Sequence, residues 1–276
     1  MLAAWVDGLP ANALGLADRG LHYGDGLFET IAANEGRARF LGAHLARLTK
    51  GCAALSIAMP ARDTLRFELA RAAQLAPQVL IKLIVTRGLA LERGYGYTGG
   101  EAATRIVMGY AWPGEQGAAP APARTALAVL RCGRPLLAGV KHLNRLEQVL
   151  ARQEARQRGL DEVILAADEG HVTGGSMTNV FALAQGCLVT PPVAHCAVAG
   201  VLRGQLLAAA SQLGMATAER RLAPDELLAA DALWLTNVRV GVWPVTRFAG
   251  RDYPAHECTQ RLQRAVLETA METADA

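Results

Sequence analysis

The stretch AGVKHLNRLEQVLAR, residues 138–152, carries one of only three lysines in a chain of 276 residues with 28 basic side chains. The other two are Lys50 and Lys82, so the remaining basic residues are all arginine. An amine can lose its proton and attack a carbonyl, which a guanidinium cannot do. The motif therefore indicates a chemical role for Lys141, the alternative being a solvated lysine at the start of a helix.

The residues around this motif predict a mixed α/β half. TALAVLR reads as a strand before it, and a helix is predicted from about residue 143 to residue 158, with Lys141 at its entrance. Leu143, Leu146, Val149 and Leu150 recur on one face of that helix. Strands alternating with turns follow in EVILAADEGHVTGGSMTNVFALAQGCLVTPP, and GVLRGQLLAAASQLG predicts a helix opened by Gly200 and closed by Gly214. ALWLTNV and GVWPVTRF predict two further strands.

The first half of the chain predicts an α+β domain. GLFETIAANEGRARFL reads as a hairpin turning at residues 34–36, and QVLIKLIVTRG and ATRIVMGYA read as partner strands. A helix follows the hairpin, with a buried stripe that turns His44, Arg47 and Lys50 outward. The stripe comprises Leu41, Leu45, Leu48, Cys52 and Leu55. The proline- and glycine-rich segment WPGEQGAAPAPAR marks a boundary, so we expect a domain at 1–112, a linker at 113–124 and a second domain at 125–276.

The composition excludes several classes of protein. The net charge of +3 has no basic block and no interleaved aromatic residues, which argues against nucleic-acid binding. The odd number of cysteines and the absence of C-x-x-C favour reduced thiols and argue against a zinc cluster. No signal-like N-terminus and no apolar run of about 20 residues is present, so we expect a soluble, cytoplasmic protein. The five cysteines are Cys52, Cys132, Cys187, Cys196 and Cys258.

Lysine amines commonly form Schiff bases with carbonyl substrates or with pyridoxal phosphate. A phosphorylated cofactor needs backbone N–H groups and a cation. The helix start at AGVLR could supply the N–H groups of Val201 and Leu202, a strand end could supply Thr236 and Asn237, and Arg47 could supply the charge.

Six motifs, in order and spacing, resemble the fold-type-IV pyridoxal-phosphate enzymes over nearly the whole chain. These are YGDGLFET, HLARL, RGY, KHLNRLEQVL, GGSMTNVF and GVLR. The family includes branched-chain and D-amino-acid aminotransferases and aminodeoxychorismate lyases. AGVKHLNRLEQVLAR is most similar to the lyases. The resemblance implies two domains with the active site between them, and a homodimer.

The resemblance also implies residue roles. Lys141 would hold the cofactor covalently and shuttle protons. Arg47 would bind the cofactor phosphate, the alternative being a solvated arginine on a helix face. Val201 and Leu202 would donate backbone N–H groups to the same phosphate, helped by two residues at a strand end, Thr236 and Asn237. The family often has threonine where Leu202 stands, so only the backbone contact is expected there.

The substrate residues are a separate hypothesis. Arg93, Tyr95 and Arg105 are candidates for binding carboxylates, because a dicarboxylate needs cations or hydroxyl donors in a dry pocket. Arg105 could equally be an outward residue on a strand. Arg145 lies within one predicted helical turn of Lys141 and could meet the cofactor ring, although helix capping or surface exposure would also explain it.

One departure from the family pattern concerns Gly174. The usual motif has a glutamate there, which keeps the pyridine nitrogen of the cofactor protonated and so strengthens its electron withdrawal. Transamination depends on that effect, whereas the lyase reaction gains driving force when its product ring becomes aromatic. We therefore expect the cleavage of 4-amino-4-deoxychorismate to 4-aminobenzoate and pyruvate, a step toward folate. The alternatives are a D-amino-acid or branched-chain aminotransferase and a weakly active or non-catalytic cofactor-binding protein.

Overall fold

The computed structural model describes residues 1–90, 92–112, 121–132, 136–196 and 198–272, which divide into two compact units. The first unit contains the described residues within Met1–Gly117, Val140–Asn144 and Ala270–Ala276. The second contains those within Ala118–Gly139 and Arg145–Thr269. The segment around Lys141 thus groups with the first unit, although it lies within the span predicted as the second domain. The predicted linker at 113–124 lies mostly outside the described residues.

In the described residues of the first unit, an antiparallel sheet packs with helices. In chain order the elements are β1 (Ala3–Val6), β2 (Leu9–Pro10), α1 (Arg19–Tyr23), β3 (Gly26–Asn34), β4 (Arg37–Ala38), α2 (Leu41–Leu55), α3 (Arg62–Ala73), β5 (Gln78–Thr86) and β6 (Thr104–Ala111). The strands run in the order β2-β1-β6-β5-β3-β4. The predicted pairing of β5 with β6 is confirmed from Val79 to Thr86, which face Ala111 to Thr104.

The predicted hairpin is formed by β3 and β4. Its two central residues, Glu35 and Gly36, both have positive φ angles of 47° and 76°. Tight hairpin turns of this kind need positive φ at both central positions, because that backbone twist matches the twist of the strands. The turn therefore fixes the register in which Asn34 faces Arg37.

Helix α2 buries the predicted stripe through Leu45, Leu48 and Cys52, which join the core beneath the sheet. The prediction that His44 turns outward is wrong, because its side chain has no solvent exposure. An apolar stripe marks which residues pack against a core, but it does not reveal a polar residue that pairs with a charge inside that core. Here the charge is the carboxylate of Glu29 on β3.

The elements of the second unit are β7 (Ala123–Cys132), α4 (Leu146–Gln157), β8 (Glu162–Ala167), β9 (Val172–Gly175), β10 (Asn179–Ala184), β11 (Cys187–Thr190), α5 (Val201–Gln212), β12 (Ala216–Glu219), α6 (Pro224–Ala229), β13 (Ala232–Asn237), β14 (Gly241–Phe248), β15 (Arg251–Asp252) and α7 (Cys258–Glu272), of which residues 270–272 group with the first unit. Within the described residues its sheet has nine strands in the order β12-β11-β10-β13-β14-β7-β8-β9, with β15 paired to β14. The pairs β11/β12, β14/β7 and β7/β8 are parallel and the others antiparallel.

Helix α4 connects the parallel strands β7 and β8, as parallel pairing requires. It packs on them through the small side chains of Ala151 and Ala155. The predicted apolar face of this helix is exposed to solvent, since Leu146, Val149 and Leu150 are 77%, 58% and 52% exposed, and Leu143 lies before the helix begins. Among the described residues, no helix has both the length and the apolar character needed to cross a membrane.

Candidate active site

The backbone around Lys141 is fixed by the beginning of β3. The N–H of Phe28 donates to the carbonyl of Lys141 at 3.0 Å, and the N–H of Leu143 donates to the carbonyl of Gly26 at 2.9 Å. The Nζ atom of Lys141 lies 4.1 Å from the centre of the Phe28 ring. An ammonium is attracted to the face of an aromatic ring. The lysine is therefore held both by its main chain and by its side chain, and the strand-like pairing delays α4 until Leu146.

A buried ion cluster lies on β3 and α2 of the same unit. The Nδ1 atom of His44 is 2.6 Å from Glu29 Oε2, and Arg47 Nε donates to Glu29 Oε1 at 2.8 Å. A second bond joins Arg47 Nη2 to Glu29 Oε2, so the arginine grips the carboxylate with two N–H groups. Two parallel bonds of this kind fix the guanidinium plane. The structure thus gives Arg47 a precise orientation, and its phosphate contact stays a prediction.

The cluster also fixes the charge states of its members. Burial alone would raise the pKa of Glu29, but the hydrogen bonds from Arg47 and His44 outweigh it and lower that pKa to about 2. Burial lowers the pKa of His44 against the opposing effects of its hydrogen bond to Glu29 and of the Glu29 charge, and the nearby charges of Arg47 and Lys141 act in the same direction as burial. An ionised Glu29 accepts only, so we assign the proton of neutral His44 to Nδ1. Its buried Nε2 is then an acceptor with no protein donor among the described residues.

The RGY motif lies on a loop outside the sheet of the first unit. Arg93 and Tyr95 are both exposed, and the Tyr95 ring lies 5.3 Å from the ring of Tyr23. Arg105 is placed differently: its Nη2 is 3.1 Å from Glu68 Oε1 and its Nη1 is 3.4 Å from an aspartate oxygen on the β1–β2 turn. The structure therefore gives Arg105 carboxylate partners within the protein, which compete with its predicted substrate role.

The first turn of α5 carries the predicted N–H donors of the second unit. Gly200 caps this helix without any side-chain hydrogen bond to the N–H groups of the turn. A β-carbon at position 200 would lie 2.0 Å from Asn179 Oδ1, so glycine is required for the close approach of that amide. Val201 and Leu202 are both buried. The helix start is therefore shaped by glycine and leaves its positive end uncapped by side chains, as anion sites at helix starts require.

The end of β13 supplies the other two predicted residues. Thr236 is buried, and its hydroxyl oxygen has no partner among the described residues. Asn237 is committed to the loop: its Oδ1 accepts from the N–H groups of the following turn at 2.9 and 3.0 Å, and its Nδ2 donates to the carbonyl of Met177 at 3.2 Å. Thr236 thus offers an unsatisfied buried hydroxyl, whereas Asn237 shapes the backbone around it.

Sequence reasoning missed Glu162, which is fully buried at the start of β8. Its Oε1 accepts from Ser176 N at 3.1 Å and from Ser176 Oγ at 2.5 Å. Its Oε2 accepts from Met177 N and Thr178 Oγ1, both at 3.2 Å. The signal was available, because Glu162 is the one acidic residue in the otherwise apolar strand EVILAA. This carboxylate holds the loop that follows Gly174 and Gly175.

Gly174 adopts a φ angle of 152°, a backbone conformation that residues with a side chain rarely occupy. A β-carbon there would lie 2.9 Å from the carbonyl oxygen of Thr178, which already accepts from Gly175 N at 2.7 Å. Strand register pairs Gly175 with Ile164 and Gly174 with Leu165. Since neighbouring residues of a strand point to opposite faces, Glu162 shares the face of Gly175 rather than that of Gly174. Its carboxylate therefore does not replace the glutamate that the motif lacks.

Arg145 stands immediately before α4, in the second unit, with φ and ψ of −128° and 25° and no side-chain cap of the helix. The residue before it, Asn144, belongs to the first unit and donates from Nδ2 to the carbonyl of Gly24 at 3.1 Å. The predicted helical turn from Lys141 to Arg145 is therefore not formed. The cofactor contact predicted for Arg145 cannot follow from helical spacing alone.

The residue chemistry fits pyridoxal phosphate. Lys141 has an amine that can bind the aldehyde of the cofactor, and within the second unit the first turn of α5 and the unpartnered hydroxyl of Thr236 offer hydrogen-bond donors. A phosphate accepts hydrogen bonds from both kinds of donor. The orphaned hydroxyl is the more informative feature, because a buried polar atom without a partner is costly unless a ligand satisfies it.

Comparison with known proteins agrees with this fit. A family model described as amino-transferase class IV matches residues 26–248. The chain belongs to this family. The class IV fold is the fold-type-IV architecture predicted from the motifs, and pyridoxal phosphate is the cofactor of the family.

Three class IV relatives show how close the similarity is. An aminodeoxychorismate lyase of Vibrio harveyi is 32% identical over 94% of this chain and 97% of its own. A D-alanine aminotransferase of Bacillus licheniformis is also 32% identical, over 87% of this chain and 84% of its own. A crystal structure of 4-amino-4-deoxychorismate lyase from Pseudomonas aeruginosa is 40% identical, covers 96% of this chain and 98% of its own, and superposes with a TM-score of 0.88.

Proposed function

We propose that this protein is a pyridoxal-phosphate-dependent lyase that converts 4-amino-4-deoxychorismate to 4-aminobenzoate and pyruvate, a step toward folate. The observation that carries the proposal is the 40% identity to the Pseudomonas aeruginosa lyase over 96% of the chain. The lyase-like segment AGVKHLNRLEQVLAR supports it, since that segment contains the lysine that the chemistry needs.

The proposal assigns the following roles to residues of this chain in cofactor binding and proton transfer. When bound, pyridoxal phosphate withdraws electrons from the carbon that loses its proton. The Nζ of Lys141 holds the cofactor and carries the proton away from the amine-bearing ring carbon of the substrate. Arg47, Val201, Leu202 and Thr236 bind the phosphate. Asn237 keeps the turn beside Thr236 in place, and Arg145 is a further candidate contact.

The ion cluster of Glu29, His44 and Arg47 supports this assignment because it fixes the cation before any ligand arrives. An arginine whose plane is already set loses little conformational freedom when it binds a phosphate. We propose Arg93 and Tyr95 for the substrate carboxylates. Arg105 is the weaker candidate, since its guanidinium contacts two carboxylates of the protein, those of Glu68 and Asp7.

We further propose that the protein is a cytoplasmic homodimer. Leu146, Val149 and Leu150 form an exposed apolar strip on α4, which supports contact with a second copy. Cys52, Cys187, Cys196 and Cys258 are unpaired, which supports a reducing compartment.

A second candidate is a D-amino-acid aminotransferase, favoured by the equal 32% identity to the Bacillus licheniformis enzyme. Gly174 argues against it, because transamination depends more on a protonated pyridine nitrogen than the lyase reaction does. A transaminase would convert its cofactor to the pyridoxamine form when D-alanine is added, whereas a lyase needs no such conversion. A cofactor-binding protein without turnover would show the absorbance of the bound cofactor, but no conversion to the pyridoxamine form and no lyase products.

The deciding experiment follows 4-aminobenzoate and pyruvate together after the cofactor-loaded protein receives 4-amino-4-deoxychorismate. We expect equal amounts of both products, and none from Lys141→Ala. Lys50→Ala is the matched control, because Lys50 is exposed on α2 of the same unit and is not proposed to bind the cofactor. Absence of product from a wild-type protein that shows the absorbance of lysine-bound cofactor would reject the lyase assignment.

A further inference from the structure

Residues 92–100 form a loop, called here the tyrosine loop, that carries Arg93, Tyr95 and Tyr97 and belongs to no helix or strand. Gly94 and Gly99 within it have φ angles of 111° and 85°, which only glycine adopts easily. Such a segment has many accessible conformations, so a defined position requires attachments to the body of the unit.

Arg19 provides the attachment at the middle of the tyrosine loop. Its Nη2 donates to the carbonyl of Tyr95 at 2.8 Å, and its Nη1 donates to the carbonyls of Gly96 at 2.9 Å and Gly94 at 3.3 Å. Arg19 is only 4% exposed although it begins a short helix. One buried guanidinium thus binds three successive carbonyls of the loop, which no lysine could reproduce because it lacks the planar fork.

Asp25 holds this arginine and a second one. Its Oδ2 accepts from Arg19 Nε at 2.9 Å and from Arg87 Nε at 2.8 Å. Arg87 Nη2 also donates to Asp25 Oδ1 at 3.1 Å, and its Nη1 donates to the carbonyl of Ser56 at 2.8 Å. The ring of Tyr97 covers Arg87, with 3.8 Å from Cζ to the ring centre. The tyrosine loop is therefore attached by its carbonyls to Arg19 and by the Tyr97 ring to Arg87, in addition to the contact of the Tyr95 ring with Tyr23.

The three side chains, called here the arginine clamp, lie in the first unit and take no part in the chemistry proposed above. Hydrogen bonds to Arg19 and Arg87 lower the pKa of Asp25 against the opposing effect of its burial, so the clamp keeps its charges near neutral pH.

We propose that Arg19, Asp25 and Arg87 are positioning residues that hold the tyrosine loop in place. Arg93 and Tyr95 are then already ordered when a dicarboxylate substrate binds. The substrate part rests on the proposed function, whereas the attachment of the loop does not. A loop that must be ordered on binding weakens the affinity for substrate, so the clamp acts on KM and leaves the chemical step at Lys141 unchanged.

The first test needs no substrate. Trypsin cuts after Arg93 only when the neighbouring residues unfold locally and enter the active site of the protease. The rate of this cut therefore measures opening of the loop. We expect Arg19→Lys to raise that rate in the cofactor-loaded protein about tenfold or more, since losing even one charge-assisted hydrogen bond shifts an opening equilibrium by that factor. Arg124→Lys is the control, because Arg124 is exposed and lies in the second unit, where it pairs with Asp161 of the same unit. An unchanged rate in Arg19→Lys would overturn the proposal.

The second test separates loop attachment from substrate binding. Arg19→Lys should raise KM for 4-amino-4-deoxychorismate about tenfold, with kcat within about twofold of wild type and an unchanged cofactor absorbance. An unchanged KM together with faster cleavage would overturn the substrate part. A wild-type protein without lyase activity would reject the proposed function instead, and the cleavage rate alone would then decide whether Arg19 fixes the loop.

Tyr97→Ala provides a second test of the loop attachment in case Arg19→Lys does not fold. Tyr97 is 49% exposed, so its removal leaves the core intact while it releases the attachment to Arg87. We expect faster cleavage after Arg93 in this variant too, by a smaller factor than in Arg19→Lys. A folded Tyr97→Ala protein with wild-type cleavage would show that Arg87 does not hold the loop.

Discussion

Replacing Glu29 with glutamine keeps the size of the side chain but removes the charge that Arg47 and His44 share. The carboxylate is 1% exposed and the imidazole is fully buried. Glutamine can accept one of the former hydrogen bonds, but its amide group presents a donor where Arg47 and His44 also donate. We therefore expect Glu29→Gln to destabilise the first unit rather than to leave it unchanged.

The magnitude follows from the pKa of Glu29, which is about 2 in the folded protein against an ordinary value of 4.5. A shift of that size corresponds to about 3 kcal/mol of folding free energy at neutral pH. Removing one partner of a buried ion pair costs about 3–5 kcal/mol by an independent measure. Both routes give a loss large enough to measure.

The pH dependence has a definite sign. Because the folded pKa lies below the unfolded one, the stabilisation from Glu29 is complete above pH 4.5 and is lost as the pH falls toward 2. His44 acts in the same direction, since its lowered pKa keeps it neutral while the unfolded chain takes up a proton below pH 6.5. The His44 contribution is present in both proteins, so the deficit of Glu29→Gln follows the Glu29 contribution and should shrink to about half its neutral value near pH 3.

Urea unfolding of the cofactor-loaded proteins between pH 7 and pH 3, followed by circular dichroism, measures this deficit. Glu101→Gln is a matched control, because hydrogen bonds from Thr98 and Gly99 give Glu101 a pKa of about 2 as well, but on an exposed loop. Solvent screens that group, so its variant should unfold like the wild type. Equal stability of Glu29→Gln and wild type at pH 7, or a deficit that does not change with pH, would refute the reasoning.

Three further outcomes are expected. Gly174→Glu should lower the melting temperature, because a side chain at that φ and against a carbonyl costs about 1–3 kcal/mol; a variant as stable as wild type would show that the strand relaxes freely. Burial raises the pKa of Cys52 and Cys196 to about 11, so iodoacetamide at pH 8 should label half-buried Cys187 and spare both in the native protein, as peptide mass spectrometry would show. Glu162→Gln should lower the melting temperature by more than Glu101→Gln, since it weakens four hydrogen bonds in a buried loop, and equal values would contradict that role.

Much of the fold was predictable from local pattern. The β3–β4 hairpin follows from a turn that needs two positive φ angles, and α5 begins after Gly200 as predicted. The placement of Lys141 was not predictable, because its backbone pairs with Phe28, far away along the chain. Periodicity describes neighbours in sequence and carries no information about such partners.

The candidate site shows the same limit. The motifs predict roles for Lys141, Arg47 and Thr236, but they do not predict the partners that define the environment of these residues. Glu29 lies within the motif YGDGLFET, and nothing in that motif shows that its carboxylate fixes both a histidine and an arginine. Which charges meet inside a core depends on how elements pack, and one sequence does not give that packing.

Residues 140–144 belong to the first unit although they follow part of the second in sequence, and this has a consequence for synthesis on the ribosome. Gly26 and Phe28 of β3 find their hydrogen-bond partners only when Lys141 and Leu143 emerge, long after β6 has been made. A nascent chain that stops at residue 112 therefore exposes an unfinished sheet edge. The first unit cannot be excised as a contiguous fragment, and its completion waits for translation of the lysine itself.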